Sequence, residues 1–304
     1  MKPWDKDQIK KAAHRSGKPL EVRCAQAFLE AHGAERSPGW EVRLGGYYLD
    51  PITGKSRELD VQAIKRKYQK LNDSEVECVL RVMISCKGFP AEEAPVTYSV
   101  QRGSIDVTSD PRLPHEIKRI TNPGSRLVGP RTFIGSGFGK EGAKFLLNST
   151  KLSLYGRSRE SRIVVGFDTY KQEEHKDTYR VKGDSDQYEG LSSALHSALY
   201  WESLPKDSDP FRYFSYLYVP ILLLGTDWHD IPVDGGTPQD PMEVSWGYVS
   251  LDYPRQDASG PMPLLCLLVS GRELRHLVGH LNSLFDQLVQ ESVNAYRNGK
   301  FDDP

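Results

Sequence analysis

The chain has 304 residues, with 40 Lys and Arg against 41 Asp and Glu, 38% hydrophobic and 10% aromatic. That length allows one large domain or two modest ones with a sizeable core, and the composition is ordinary for a soluble globular protein. The longest apolar run, from Tyr216 to Leu224, contains Pro220 and is too short to span a bilayer. The first residues lack the basic-then-apolar layout of a secretory signal, so a cytoplasmic protein with no membrane partner is expected.

Charge becomes informative once the chain is divided. Residues 1–150 hold 25 Lys and Arg against 18 Asp and Glu, a balance of +7, and residues 151–304 hold 15 against 23, a balance of −8. A polyanion would dock on the basic half; an unevenly charged, solvated surface gives the same numbers. Cys24, Cys78, Cys86 and Cys266 have no paired spacing and read as buried, reduced thiols.

In chain order, Pro19 suits a first helical turn, and a helix is predicted to about His32, with Gly33 as its stop. Cys24, Ala25 and Phe28 form one side of it, and Glu21 projects into that same side. A carboxylate there is costly unless it is paired or binds a cation; the plain alternative is an end-of-helix acid that favours the dipole and reaches water. Three strands are then predicted, at Trp40–Tyr48, Ser56–Lys67 and Val76–Lys87, with turn chemistry at Asp50-Pro51-Ile52-Thr53-Gly54 and at Leu71-Asn72-Asp73-Ser74. Beyond Gly88 the reading gives a short strand at Pro95–Val100, a short helix near His115–Ile120 and a strand at Arg131–Ile134. The glycine-rich Gly135–Lys140 stretch follows, read as a loop or a contact to a DNA backbone, and then a helix near Glu141–Leu147.

The second half reads as a strand at Ser161–Phe167, a charged loop over 169–186, and a helix from Gln187 to Trp201 with Asp186 and Glu189 as a capping box. Apolar strands at Tyr216–Leu224, Val244–Leu251 and Leu264–Val269 look covered on both faces, with a loop from Asp227 to Pro241. Ser270 and Glu273 form a second capping box, opening a long helix whose Leu274, Leu277, Val278, Leu281, Leu284, Phe285 and Leu288 keep one face. His276 and His280 on that helix read as surface histidines.

Period-two alternation puts Glu58, Asp60 and Gln62 on one face of the second strand, and Arg81, Met83, Ser85 and Lys87 on one face of the third. Hard cations such as Mg²⁺ and Mn²⁺ need carboxylate oxygens close together, and a nearby lysine helps position water and offset charge at phosphorus.

This pattern resembles the PD-(D/E)XK, restriction endonuclease-like superfamily, with a glutamate on the first helix, an acid on the second strand and acid-X-lysine on the third. Met83-Ile84-Ser85-Cys86-Lys87-Gly88 is similar to the third-strand signature of its Mrr-like branch. The resemblance covers residues 18–90 and implies Glu21, Asp60 and Lys87 as site residues, with Asp60 and Glu21 as metal ligands; Glu58, two residues from Asp60 on the same face, is a further candidate to share the metal. The departure is Ser85, where the superfamily has an acid or Gln. Some restriction enzymes of this fold carry Ser-X-Lys and take the acid from a following helix; Glu92, Glu93, Gln101 and Glu116 are the later candidates. Glu77 is excluded, because ten strand residues put it roughly 33 Å from Lys87.

The expected fold is α/β, a restriction endonuclease-like core whose mixed central sheet is flanked by helices, with C-terminal strands and a long C-terminal helix. A nuclease-like core over 1–150 and an α/β extension over 151–304 would pack into one unit. The expected activity is Mg²⁺- or Mn²⁺-dependent cleavage of DNA phosphodiester bonds, by analogy in defence against foreign DNA, with a protein partner or homo-oligomer as further associations. Ser85 motivates the alternative, an inactive nuclease-fold subunit that binds nucleic acid or a protein.

Overall fold

The computed structural model describes residues 5–6, 17–31, 39–51, 53–71, 74–90, 92–101, 162–173, 178–183, 185–203, 212–253 and 262–297. Helix α1 (Lys18–Glu30) leads into the strands β1 (Glu41–Leu49), β2 (Ser56–Leu71) and β3 (Ser74–Lys87), and then β4 (Glu93–Gln101). Strands β5 (Arg162–Gln172) and β6 (Tyr179–Gly183) precede helix α2 (Ser185–Ser203). The remainder is β7 (Arg212–Leu224), β8 (Trp228–Asp234), β9 (Thr237–Pro238), β10 (Met242–Val244), β11 (Trp246–Tyr253), β12 (Met262–Ser270) and helix α3 (Leu274–Arg297).

The described strands join one mixed sheet in the order β1-β2-β3-β7-β12-β11-β5-β4-β8-β10, with β6 beside β5 and β9 beside β8. The meander β1-β2-β3 is antiparallel, whereas β3, β7 and β12 run parallel. Parallel neighbours need a crossover, and α2 lies on it. Strands from both halves of the sequence therefore share the sheet; the division expected near residue 150 falls outside the described residues.

The two sheet faces are covered differently. On one, α1 and α3 pack Leu20, Cys24, Phe28, Leu277, Leu281 and Phe285 onto Val61, Val82, Ile84, Val219 and Val269. On the other, Leu191, Ala194, Leu195 and Ala198 of α2 meet Met83, Tyr218, Leu222 and Leu268. All seven apolar residues expected on one face of α3 are buried. At about 1.5–3 kcal/mol per fully buried side chain, α3 is held by packing far more than by helix propensity. All four cysteines are buried and free. No described helix is long and apolar enough to cross a membrane.

Several expectations change. The loop read over 169–186 is the end of β5 and a hairpin with β6, in which Tyr170 to Gln172 pair with Val181 to Tyr179. The loop read from Asp227 to Pro241 contains β8, paired in parallel with β4. Pro232 hides this strand in the sequence, yet a peripheral position tolerates a missing donor. Helix α2 starts before Asp186, so Asp186 lies in its first turn rather than capping it, and Glu189 turns to another partner. Before α3, the Ser270 hydroxyl accepts from the Arg272 amide, while Glu273 goes to His276 instead of closing a reciprocal box. His276 is exposed and His280 meets the edge of Trp246. The elements read at His115–Ile120, Arg131–Ile134 and Glu141–Leu147, the Gly135–Lys140 stretch and the candidate Glu116 lie outside the described residues.

Candidate functional site

The site forms where β2 and β3 stop pairing. Their ladder runs inward from Leu71 and Ser74 to Val61 and Ile84. One step further, Asp60 faces Ser85 with its side chain in place of the backbone: Asp60 Oδ2 accepts from the Cys86 amide at 2.7 Å and from the Ser85 hydroxyl at 3.1 Å. An amide that would otherwise lose its ladder partner is satisfied, and the carboxylate is held by two bonds on a single oxygen. Ser85 is buried, so its hydroxyl acts as a fastener for Asp60.

Helix α1 supplies the next group. Gly17 precedes it in a left-handed conformation (φ 74°), a backbone suited to glycine. A Cβ there would lie 3.5 Å from the Cys86 carbonyl oxygen, so the start of α1 sits against the end of β3. Glu21, only 5% exposed, is thereby brought near Asp60. Burial pushes its carboxyl above the ordinary value, and the charges of Asp60 and Glu58 push the same way, against a hydrogen bond from Lys18.

Lys18 is the residue that sequence reasoning missed here. Its Nζ donates to Glu21 Oε2 at 2.9 Å and stands 3.7 Å from Glu58 Oε1. The hydrogen bond to Glu21 holds the ammonium above its usual value, and the charges of Glu58 and Asp60 add to this. Glu21 and Glu58, two of the three expected metal ligands, therefore share one cation, the ammonium of Lys18, and the charge of the third, Asp60, also acts on it. Lys18 and Glu21 are three apart on a helix, a spacing whose pairing was readable in advance.

Lys87 ends β3 on the side of α2. Its Nζ is 3.7 Å from Glu189 Oε2, an ion pair between a quarter-exposed lysine and a largely exposed acid. The lysine stem crosses α2 at Gly190, where a Cβ would fall 2.9 Å from Lys87 Cε and 2.7 Å from Leu222 Cδ1. Only a residue without a side chain leaves room for that crossing. Of the acids weighed as substitutes for Ser85, Glu92 precedes β4 and Glu93 opens it, while Glu77 pairs with Arg66 at 3.3 Å. Glu189 had no local signal, since only the folding of α2 onto β3 brings it to Lys87.

Among the described residues, no group of three or more His, Cys, Asp or Glu side chains stands close enough to hold a metal ion as placed. The chemistry of the donors nevertheless fits a hard divalent cation: carboxylates from α1 and β2 already surround a positive charge. Exchange of the ammonium for such an ion would require Lys18 to swing away, which its 60% side-chain exposure allows. No protein-family model matches the chain, and no curated protein or solved structure matches it either.

Proposed function

We propose that the protein is a divalent-metal-dependent nuclease acting on DNA, with a restriction endonuclease-like core formed by α1, β1–β3, α2 and β7. The gathering of Glu21, Glu58 and Asp60 about the ammonium of Lys18, with Lys87 two residues along β3 from the Ser85 that holds Asp60, carries this reading. The helix and antiparallel meander, followed after β4, β5 and β6 by a crossover helix and a strand parallel to β3, support it. Defence against foreign DNA and assembly with a protein partner or a second copy remain analogies drawn from the family resemblance.

In this reading Asp60 and Glu21, with Glu58 beside them, would hold Mg²⁺ or Mn²⁺, which when bound polarises the phosphodiester and acidifies a water. Ser85 and the Cys86 amide keep Asp60 oriented for that task. Lys87 orients the attacking water and offsets the charge that builds on phosphorus. The water oxygen forms a new P–O bond, one P–O ester bond breaks, and the leaving alkoxide takes up a proton. Glu189 supplies, across Lys87, the negative charge that an acid at position 85 would contribute, and the ion pair keeps the lysine in place.

Melting temperature measured against Mn²⁺ concentration tests the metal site independently of cleavage. Wild type should be stabilised progressively, Asp60→Ala should not, and Lys18→Met should respond at lower Mn²⁺ because no ammonium competes. The second reading, an inactive nuclease-fold subunit, draws on Ser85 and on the lysine already lodged among the acids. Wild type indifferent to Mn²⁺ but still binding DNA in a salt-sensitive way would favour it.

A further inference from the structure

We propose that Arg43, Arg66 and Arg81 form a phosphate site that seats the DNA backbone on the sheet face leading to Asp60; the identity of the ligand rests on the nuclease reading. On the β1–β2–β3 ladder Arg43 lies opposite Gln62, Arg81 opposite Ile64, and Arg66 opposite Val79. Alternation puts these residues on one face, and continuing the rows along β2 reaches Asp60. Two residues separate Asp60 from the rung of Arg43 and six separate it from Arg66, so the arginines span about 7 to about 20 Å from the acid.

Arg81 has the most exacting surroundings. Its guanidinium carbon lies 3.8 Å over the ring of Trp201, at the end of α2. Its Nε and Nη1 are shut off from solvent and have no hydrogen-bond partner. Burial holds this group below its ordinary value, and the charges of Arg66 and Arg43 add to that push. Arg66 is better supplied: burial pushes it down, but a hydrogen bond with Tyr68 and the charges of Glu77 and Glu41 hold it above its ordinary value, and its buried Nε stands 3.3 Å from Glu77 Oε1 in an ion pair. Glu77 and Glu41 offset part of the charge, leaving three guanidiniums against two carboxylates.

Buried donors without acceptors are costly, and like charges held together add to the cost. An oxyanion with several acceptor oxygens, approaching from the solvent side of Arg43 and Arg66, relieves the like-charge crowding, and it reaches the Arg81 donors when Trp201 turns aside. Phosphate matches the guanidinium fork, and a nucleic-acid strand presents phosphates in series along the direction in which these arginines run. Such contacts position the strand over Asp60 and Lys87 without reading its bases.

The test is fluorescence anisotropy of a labelled 20-base-pair duplex with the full-length protein in EDTA, across a salt series. Arg43→Ala/Arg66→Ala should weaken binding at least tenfold and reduce the slope of log K against log salt by about 2, near 0.9 per phosphate contact. Arg81→Met should weaken binding while leaving the melting temperature unchanged or higher, which a purely structural arginine would not do. Wild-type affinity and slope in the double variant would overturn the proposal. So would an equal loss in Lys55→Ala/Lys171→Ala, two exposed lysines elsewhere, or no binding by wild type at low salt. Cleavage of the same duplex in Mg²⁺ separates the two readings. Arginine-dependent binding without cleavage leaves the phosphate site standing and sinks the nuclease, whereas cleavage indifferent to the arginines sinks only the site.

Discussion

Lys65 and Arg81 stand on neighbouring rungs of the same ladder, Lys65 opposite Leu80 and Arg81 opposite Ile64, and they leave the sheet on opposite faces. Lys65 is 1% exposed and donates to Asn282 Oδ1 at 2.6 Å. The rings of Trp40 and Phe285 lie about the same ammonium at 5.5 and 5.4 Å. Burial lowers its affinity for a proton, but the amine has an acceptor and two aromatic walls. Arg81 has one aromatic wall and two buried donors with no acceptor. A buried cation is thus not in itself a mark of function. On the face closed by α1 and α3 the polar atoms are absorbed into the core, whereas the face under α2 holds unspent hydrogen-bonding capacity in Arg81.

The sharpest way to break this contrast is to attack the closed face. Phe285→Ala should cost about 3–5 kcal/mol in denaturant unfolding, because a fully buried ring is lost together with a wall of the Lys65 cage. A much smaller loss would mean that this face is not the structural one. Asn282→Ala should cost about 1–3 kcal/mol, since Oδ1 accepts from both Lys65 and the Trp40 indole and both donors would be orphaned.

On the face under α2 the expected effects fall on activity. Gly190→Ala would force a methyl against Leu222 and the Lys87 stem, an overpacking of about 1–3 kcal/mol. With Lys87 displaced, cleavage should fall by more than the change in folded fraction explains. Retention of full activity would show that Lys87 does not need its present path.

The smallest effect is electrostatic. Glu21 has a folded pKa above its unfolded value because of burial, so the folded state holds that proton more tightly. Stability from this source is present below the unfolded carboxylate value and is lost as pH rises through the folded one. Glu21→Gln should therefore melt higher than wild type at pH 8, and the two should converge as pH falls to about 4. Its ion pair with Lys18, exposed at the lysine end, offsets part of this but leaves the direction unchanged.

What was legible in the sequence follows from range. Alternation along β2 and β3 and the apolar stripe of α3 are local patterns, so these elements and the pair Asp60 and Lys87 could be read directly. Glu21 was legible because a helical period exposes a carboxylate among Cys24, Ala25 and Phe28. Glu189 was not, because its role depends on α2 crossing Lys87, about a hundred residues away in sequence. Strand β8 was hidden by Pro232 and its acidic residues; Asp230, one of them, is buried and accepts from Thr97 and Ser99 of β4. Arg81 read as one more residue on a strand face, and only the stacking of Trp201 and the empty donors set it apart.

The central claim is that Asp60 and Lys87 belong to one metal-dependent hydrolytic site. Its most direct test is degradation of supercoiled plasmid by wild type, Asp60→Ala and Lys87→Ala, with Mg²⁺ or Mn²⁺ and with EDTA. Cleavage by wild type that requires the metal and drops by about 10²-fold or more in each variant is the predicted result. Metal-dependent cleavage that survives unchanged in both variants would contradict the assignment of the site.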